Sequence, residues 1–339
     1  MFNVLAGVDV GGTRIKVGIA DLSGRVLALE IADTITYRDT ETFLAFIADK
    51  IRSMANSVSG SLLGAGIGCP GRIDFAKGRV VWLKSKLEFL EGVWLAGQLG
   101  EQLCCPVVLD NDVNAILAGE MQFGAGRGYR NVVGMTVGTG IGGALVLDGH
   151  MVRGRNWAAG HFGYMSIDLS GPRHVCGNTG IVEEHASHSG ILRQVHKAVE
   201  AGEISPLTEL LARNQEPGLR ELFQAADAGD GLACRLAARL ISELSALVAN
   251  LIYALDPELI LVGGGLVTHR SGVLDRIRHE VEERIGFLPF GATEIVPMRL
   301  GDTAGVLGGV ALAMEAIAPG AQPLHRDRSE RYSSADNRT

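Results

Sequence analysis

Residues 4–30 read VLAGVDVGGTRIKVGIADLSGRVLALE, and residues 132–152 read VVGMTVGTGIGGALVLDGHMV. In the first stretch an apolar run, Val4–Val10, meets Gly11-Gly12-Thr13. A second run, Ile15–Ala20, meets Asp21-Leu22-Ser23-Gly24, and a third, Val26–Glu30, follows. The second stretch repeats the pattern: Val132–Val137, then Gly138-Thr139-Gly140, then Gly142–Leu147, then Asp148-Gly149. Short β-branched runs bounded by Gly and Asp are strands and turns. Two copies of a strand, Gly-rich turn, strand, turn, strand unit predict a duplicated chain of two similar α/β domains.

Periodicity places the other elements. Phe43, Phe46, Ile47, Ile51 and Met54 recur at helical spacing within Thr40–Ser57. Leu63–Cys69 is predicted as a strand ending at Pro70-Gly71, Gln98–Leu103 as the end of a helix, and Val107–Leu109 as a short strand. Asp110-Asn111-Asp112 then supplies N-cap candidates for a helix over Val113–Phe123. Ile241–Leu255 and Ala304–Ile317 read as apolar helices. Leu259–Val262 reads as a strand stopped by Gly263-Gly264-Gly265, and the polar end from Gln322 to Thr339 as a disordered tail.

Composition excludes several function classes. The chain of 339 residues is 47% hydrophobic and 20% charged, which suits a large core and not a disordered protein. A net charge of −7 offers nothing to a nucleic-acid backbone. The first residues carry neither a basic leader nor a cleavage site, so no secretion signal is expected. The uncharged run Asn131–Leu147 is 17 residues long and holds five glycines, too short and too broken for a membrane span of about 20 residues. Five cysteines at irregular spacing (Cys69, Cys104, Cys105, Cys176, Cys234) argue for a reducing cytoplasm over a disulfide framework. The vicinal pair Cys104-Cys105 reads as two small core residues. Gly makes up 46 of the residues, about twice the usual share of roughly 7%, and is expected in turns and where backbone approaches a ligand.

The chemistry-bearing motifs lie at strand ends. A Gly pair after a strand lets backbone N–H groups approach phosphate oxygens, and Asp9 is then placed for a hydrated Mg²⁺. An ordinary hairpin turn would use the same residues. Gly138, Gly140 and Gly143 also satisfy the spacing of a dinucleotide fingerprint, but that fingerprint must open a helix. Here it opens the strand Ala144–Leu147, so a hairpin phosphate clamp is expected instead. Asp110–Ala115 sits where open α/β sheets bind ligands; capping explains one residue of it but not the run. His161, His174, Cys176 and His185 invite a zinc reading, but only His174 and Cys176 are close in sequence, and four ligands are needed. Glu183 reads either as a carboxylate in a first helical turn or as an acceptor for a sugar hydroxyl.

Together, Asp9–Thr13, Gly68-Cys69-Pro70-Gly71, Asn111-Asp112-Val113-Asn114-Ala115, Gly138–Gly143, and Asp256-Pro257-Glu258 with Gly263–Gly265 resemble the ROK family (repressor, open reading frame, kinase) from residue 4 to 318. The resemblance implies an actin-like ATPase (ribonuclease H-like) α/β fold, with two similar domains around a central cleft. Residues 1–115 with the C-terminal helix 303–319 would form the smaller domain, 116–302 the larger, and 320–339 the tail. It further implies an ATP-dependent kinase phosphorylating the C6 hydroxyl of a hexose or N-acetylhexosamine. Asp112 would be the general base, and Gly71, Asn111, His161, Tyr164 and Glu183 would join it around the sugar. ATP and Mg²⁺ would lie among Asp9, Gly11, Gly12, Thr13, Gly138, Thr139, Gly140 and Gly263–Gly265, in a cytoplasmic homodimer.

The sequence departs from the family in one loop. Where relatives carry Gly-Glu-x-Gly-His and then Cys-x-Cys-Gly-x-x-Gly-Cys-x-Glu, this chain has His161, Tyr164, His174, Cys176 and Ile181. At most two of four zinc ligands remain, so no structural zinc is expected. Packing of Phe162, Tyr164 and Ile181 would hold the loop instead. Some N-acetylmannosamine kinases of the family share Gly-His-x-Gly, which tilts the expectation toward an N-acetylhexosamine. The sugar-side segment Lys84–Glu88 is also atypical. The family includes DNA-binding repressors, but only eight residues precede Asp9, so no nucleic-acid partner is expected. The remaining alternative is a non-catalytic sugar sensor, and retention of Asp112 and both phosphate turns favours the kinase.

Overall fold

The computed structural model describes residues 2–34, 37–84, 87–268, 271–286 and 293–317. The tail from residue 320 and Ser85-Lys86 lie outside the described residues. The first part of the chain forms β1 (Phe2–Val10), β2 (Arg14–Asp21), β3 (Val26–Asp33), α1 (Thr40–Ser57), β4 (Gly60–Cys69), β5 (Arg72–Asp74), β6 (Arg79–Trp82), α2 (Leu95–Leu103), β7 (Val107–Asn111) and α3 (Asp112–Phe123). The second part forms β8 (Val132–Val137), β9 (Ile141–Leu147), β10 (His150–Met151), α4 (Glu183–Ala186), α5 (His188–Glu200), α6 (Pro206–Ala212), α7 (Leu219–Asp227), α8 (Gly231–Leu255), β11 (Leu259–Gly263), α9 (Gly265–Thr268), α10 (Ser271–Arg284) and β12 (Glu294–Pro297). The chain then returns through α11 (Ala304–Ile317).

The duplication read from the two Gly-rich stretches is the architecture. One five-stranded sheet has the order β3-β2-β1-β4-β7, the other β10-β9-β8-β11-β12. In each, three antiparallel strands are followed by two parallel ones. The central strands are mostly apolar because both faces are covered: Val4, Leu5, Ala6, Val8 and Val10 of β1 are fully buried.

Helices fill the faces in a fixed order. Phe43, Ile47 and Ile51 of α1 and Leu95 and Leu99 of α2 pack on one face of the first sheet. Leu307, Val310 and Ala313 of α11 pack on its other face with Leu5 and Ala20. Val113 and Leu117 of α3 cover the second sheet with Val132, Ala144 and Leu261. Leu240, Ile241 and Leu244 of α8 and Ile277 of α10 cover its outer face. The helices α3 and α11 therefore lie between the sheets, in contact with one another. α8 runs ten residues earlier than its sequence pattern suggested, capped by Asp230, whose side chain accepts the Ala233 N–H at 2.8 Å. Among the described residues no helix is long and apolar enough to cross a membrane.

Glycine has a use that the turn reading did not anticipate. A β-carbon at Gly7 would overlap the Val306 carbonyl, one at Gly66 the Gly309 carbonyl, and one at Gly308 the Ala115 carbonyl. These bare positions let α11 lie against the backbone of β1 and β4 on one side and of α3 on the other. The site is built at the ends of those three elements.

Candidate active site

β7 ends at Asn111, and α3 starts on the next residue, Asp112. Asn111 is the cap: its Oδ1 accepts the N–H of Val113 at 2.9 Å and of Asn114 at 3.3 Å. Its Nδ2 donates to the Gly71 carbonyl at 3.0 Å, fixing the Pro70-Gly71 turn beside the helix start. Asp112 is thereby left in the first helical turn, where its Oδ1 accepts the N–H of Val113 at 3.0 Å. A carboxylate there is favoured by the helix dipole.

The Asp112 pKa is nonetheless raised to about 6, first by burial and then by the charge of Asp9, against the pull of the Val113 N–H. Asp9, near the end of β1, is itself raised by burial, with Lys16 opposing. Its carboxylate lies at the head of α11, where a β-carbon at Gly305 would collide with it. The buried thiol of Cys69 feels the same pair: burial pushes its pKa up, and Asp112 and Asp9 add to the effect. Two buried carboxylates, one near the end of β1 and one just past β7, are thus close enough for the charge of one to act on the other. Val113 packs against Gly142 of β9, which brings the second hairpin to the same place.

The two phosphate-turn candidates are both hairpin tips. Gly11 N–H donates to the Arg14 carbonyl at 2.9 Å, and Gly138 N–H to the Gly140 carbonyl at 2.9 Å. Thr34 holds the first turn through its hydroxyl to the Gly11 carbonyl (2.7 Å) and its N–H to the Thr13 carbonyl (2.9 Å). The start of α5 holds the second, with His188 N–H on the Gly138 carbonyl at 2.9 Å and Ser189 N–H on the Thr139 carbonyl at 3.2 Å. Space in front of both is open: a β-carbon at Gly12 or Gly138 would meet nothing within 4 Å. Gly264, with φ +87°, has no room for a β-carbon, which would overlap the Val137 carbonyl. That contact sets Gly263–Gly265 beside the second turn. A pocket of about 320 Å³ opens there, lined by Gly265 and Leu266 and by Leu219, Phe223 and Asp227 of α7. Asp256-Pro257-Glu258 is not part of it. Glu258 sits at the opposite end of β11, accepting the N–H groups of Arg130 and Asn131 at 2.7 and 2.8 Å.

Glu183 opens α4, and its Oε2 accepts the Ile141 N–H at 2.7 Å. It lies on the second hairpin, close to Gly140 and Gly163. His161 is next to it, and its pKa is lowered by burial and then by Arg72, with Glu183 opposing. The predicted residues thus meet pair by pair: Asp9 with Asp112, Asn111 with the Gly71 turn, His161 with Glu183, and Glu183 with the Gly138–Gly140 turn. Tyr164 stands further out, partly exposed, with its ring 6.0 Å from His161.

Stacking, burial and backbone bridges hold the divergent loop among the described residues. Tyr164 stacks on His174 with ring centroids 5.8 Å apart. Phe162 and Ile181 are buried, as expected of them. Backbone bridges join Ser166 to Ile181 and Arg173 to Thr179, and Asn178 Nδ2 donates to the Tyr164 carbonyl at 2.9 Å. Cys176 is exposed. Among the described residues no three His, Cys, Asp or Glu side chains are grouped to hold a metal ion.

Two residues of the site, Arg153 and Arg72, carry no motif, and Arg153 pairs with Asp110 of the run read from the sequence. Asp110 is buried; its Oδ1 accepts from Asn111 N–H (2.7 Å) and Asn114 Nδ2 (2.9 Å), and its Oδ2 from Arg153 Nε (2.8 Å). Arg153, just after β10, also places its guanidinium 3.5 Å above the Phe75 ring. Arg72 follows Gly71 directly. The only signal in the sequence was position: Arg72 beside a Pro-Gly turn, Arg153 beside the third strand of the repeated unit.

The whole chain has close relatives. The ROK family profile matches residues 5–316. The glucokinase of Thermotoga maritima is 31% identical over 313 residues, covering 92% of this chain and 98% of that protein. A ROK family glucokinase from Streptomyces griseus, solved in complex with glucose and AMPPNP, superposes with a TM-score of 0.74 at 29% identity, over 92% of this chain and all of that one. A ROK family transcriptional regulator, homologous to the Escherichia coli MLC protein, superposes with a TM-score of 0.80 at 27% identity, over 93% of this chain and 78% of that one. The fold is the actin-like ATPase fold of these ROK proteins.

Proposed function

The chain belongs to the ROK family, and on that premise we propose that it is an ATP-dependent sugar kinase. It transfers the γ-phosphoryl group of ATP to the C6 hydroxyl of a hexose or N-acetylhexosamine. The observation that carries this reading is the position of Asp112: a buried carboxylate with a pKa near 6, at a helix start, within reach of the charge of Asp9, which stands just before the first open hairpin tip. A sugar sensor has no use for a proton acceptor held beside a phosphate turn.

The residues present fit the nucleotide and its metal. Gly12 and Gly138 leave room for phosphates, and the pocket against Gly265 and Leu266 has room for the adenosine. Asp9 would hold Mg²⁺ through water, and the ion would neutralise charge on the transferred group. Asp112 takes the proton of the acceptor hydroxyl, an assistance that typically contributes about 10²–10⁴-fold. Asn111 and the Gly71 turn position the base, and Glu183 and His161 hold the ring. Residues 1–115 with 303–319 and residues 116–302 act as two domains whose closure excludes water. The partners are a sugar and a nucleotide, with a homodimer as the assembly and the cytoplasm as the location. No nucleic acid or membrane takes part.

The test is ADP release with MgATP over glucose, mannose, allose, fructose, N-acetylglucosamine and N-acetylmannosamine, with Asp112→Asn alongside. Sugar-dependent turnover that the variant loses supports the reading. Sugar binding without turnover by the unaltered chain overturns it in favour of the sensor, with His161 and Tyr164 as the changes that redirected the site.

A further inference from the structure

The helices α4, α5 and α8 wall a cavity of about 300 Å³ that the proposed reaction does not use. Its lining carries four cations, Arg193, Lys197, Arg235 and Arg239, and two carboxylates, Glu184 and Glu203. In a chain of net charge −7 that positive excess is local. Arg193 pairs with Glu184 through Nε at 3.1 Å, and Arg235 with Glu203 through one Nη. Arg239 pairs with Glu243 at 2.6 Å and with Asp168 at 3.3 Å. Lys197 has no carboxylate partner among the described residues. A guanidinium carries more N–H groups than one such contact uses, so Arg193 and Arg235 keep donors for a ligand. His185 also lines the cavity and is only 6% exposed. Its Nδ1 lies 3.1 Å from Glu243 Oε2 and 3.3 Å from an Arg239 Nη. Its Nε2 has no partner among the described residues. That nitrogen is left for whatever occupies the cavity.

Two walls of this cavity are also the supports of the second phosphate turn. Glu183, next to Glu184 in α4, accepts the Ile141 N–H at 2.7 Å. At the start of α5, His188 and Ser189 donate their N–H groups to the Gly138 and Thr139 carbonyls at 2.9 and 3.2 Å. Arg193 and Lys197 lie further along that helix. Ser187 joins α4 to α5, its hydroxyl on the Glu183 carbonyl at 2.7 Å and its oxygen accepting the Gly190 N–H at 3.0 Å. A ligand that draws α4 and α5 together therefore acts on the turn without touching it. We infer that this cavity is a regulatory site for a small phosphate monoester or inorganic phosphate, and that its occupancy changes the hold of the Gly138–Gly140 turn on the nucleotide. Guanidinium forks and a lysine suit a phosphate dianion. A cavity at the lower end of the usual range for ligands, roughly 300–1,000 Å³, suits inorganic phosphate or a phosphorylated monosaccharide. The effect on the nucleotide rests on the kinase reading, and the binding does not.

The experiment measures Kd by calorimetry on the full chain for inorganic phosphate, glucose 6-phosphate and, as the uncharged control, glucose. The unaltered chain is compared with Lys197→Met and Lys197→Glu, both at an exposed position outside the proposed catalytic and binding machinery. At least one of the two phosphates is expected to bind with a Kd of about 1 mM or tighter. Lys197→Met is expected to weaken that binding about 10-fold, and Lys197→Glu further. Tighter binding of glucose 6-phosphate assigns the site to a phosphorylated sugar, the class of product the proposed reaction makes. Equal binding assigns it to the phosphate group alone. In ADP-release assays the saturating probe is expected to shift KM for MgATP at least about fivefold in the unaltered chain, and less in Lys197→Glu. Without the probe that variant keeps kcat and KM within about twofold. Glucose 6-phosphate also competes at the sugar site, where Lys197 has no part, so only the effect that Lys197→Glu removes is counted. Binding of neither phosphate, binding that both variants retain, or the absence of a Lys197-dependent shift in KM overturns the inference. If no sugar is phosphorylated, the kinase reading fails, and calorimetry alone decides the site: Lys197-dependent phosphate binding supports it, and its absence overturns it.

Discussion

Arg153 Nε donates to Asp110 Oδ2 at 2.8 Å, and so joins the chain leaving the second sheet to the last strand of the first. The same Asp110 orients Asn111 and Asn114 through its other oxygen. The pair is a strut under the turn that presents Asp112. Breaking a buried ion pair by removing one partner leaves an uncompensated charge, at about 3–5 kcal/mol. Arg153→Met is expected to lower the unfolding free energy by that amount in urea titrations. Unchanged stability would show that the pair does not brace the turn.

The raised pKa of Asp112 has two consequences of opposite sign. As a base it works only when ionised, so kcat/KM should fall as pH drops through about 6. For stability, the folded value lies above the ordinary carboxylate value of 3.8. The folded state therefore binds the proton more tightly, and stability present below pH 4 is lost as pH rises through about 6. Asp112→Asn removes that penalty. It should be more stable than the unaltered chain at pH 8, by up to about 3 kcal/mol, and equal to it near pH 3. Denaturant titrations at both pH values measure the difference.

Gly66 seats α11, because any β-carbon there overlaps the Gly309 carbonyl. Gly66→Val should destabilise by at least about 3 kcal/mol, the upper range for overpacking, since backbone must move and not just a side chain. It should also weaken catalysis more than stability alone explains, since α11 begins against the Asp9 carboxylate. A thermal melt together with kcat measured well below Tm separates the two effects.

The loop over residues 161–183 is built from stacking and backbone bridges where relatives are expected to use zinc. Chelator treatment should leave Tm unchanged. The triple change Tyr164→His, His174→Cys and Ile181→Cys, with Cys176 already present, should create a four-ligand set that takes up about one equivalent of Zn²⁺. Metal content by mass spectrometry, with and without chelator, decides it. Uptake of zinc by the unaltered chain would overturn this account of the loop.

Much of this was open to reading along the chain. Each repeated unit carries its own turns and its own apolar runs, so local chemistry specified both sheets. Asn111 as a cap and Asp112 as the next residue also followed from one short segment. The helices over 183–227 did not stand out. Their apolar faces are short, and their burial comes from packing on one another and, for α4 and α7, on α8, which single-residue patterning does not register. Asp256-Pro257-Glu258 misled for a related reason: it neighbours Gly263–Gly265 in sequence, yet a strand of five residues holds the two about 16 Å apart.

The sequence by itself determined the duplicated hairpins, their glycine tips, the helix start that bears Asp112 and the loss of the zinc pattern. All of these are set by residues a few positions apart. Only the tertiary structure decided that the charge of Asp9 acts on Asp112, that Glu183 sits on the Ile141 amide, that Arg153 spans the sheets, and that the Arg72 Nε is buried without a hydrogen-bond partner among the described residues. Those facts depend on where α3 and α11 cross between the sheets. That crossing is set by the absence of side chains at Gly7, Gly66 and Gly308, and so by contacts between residues up to about three hundred positions apart.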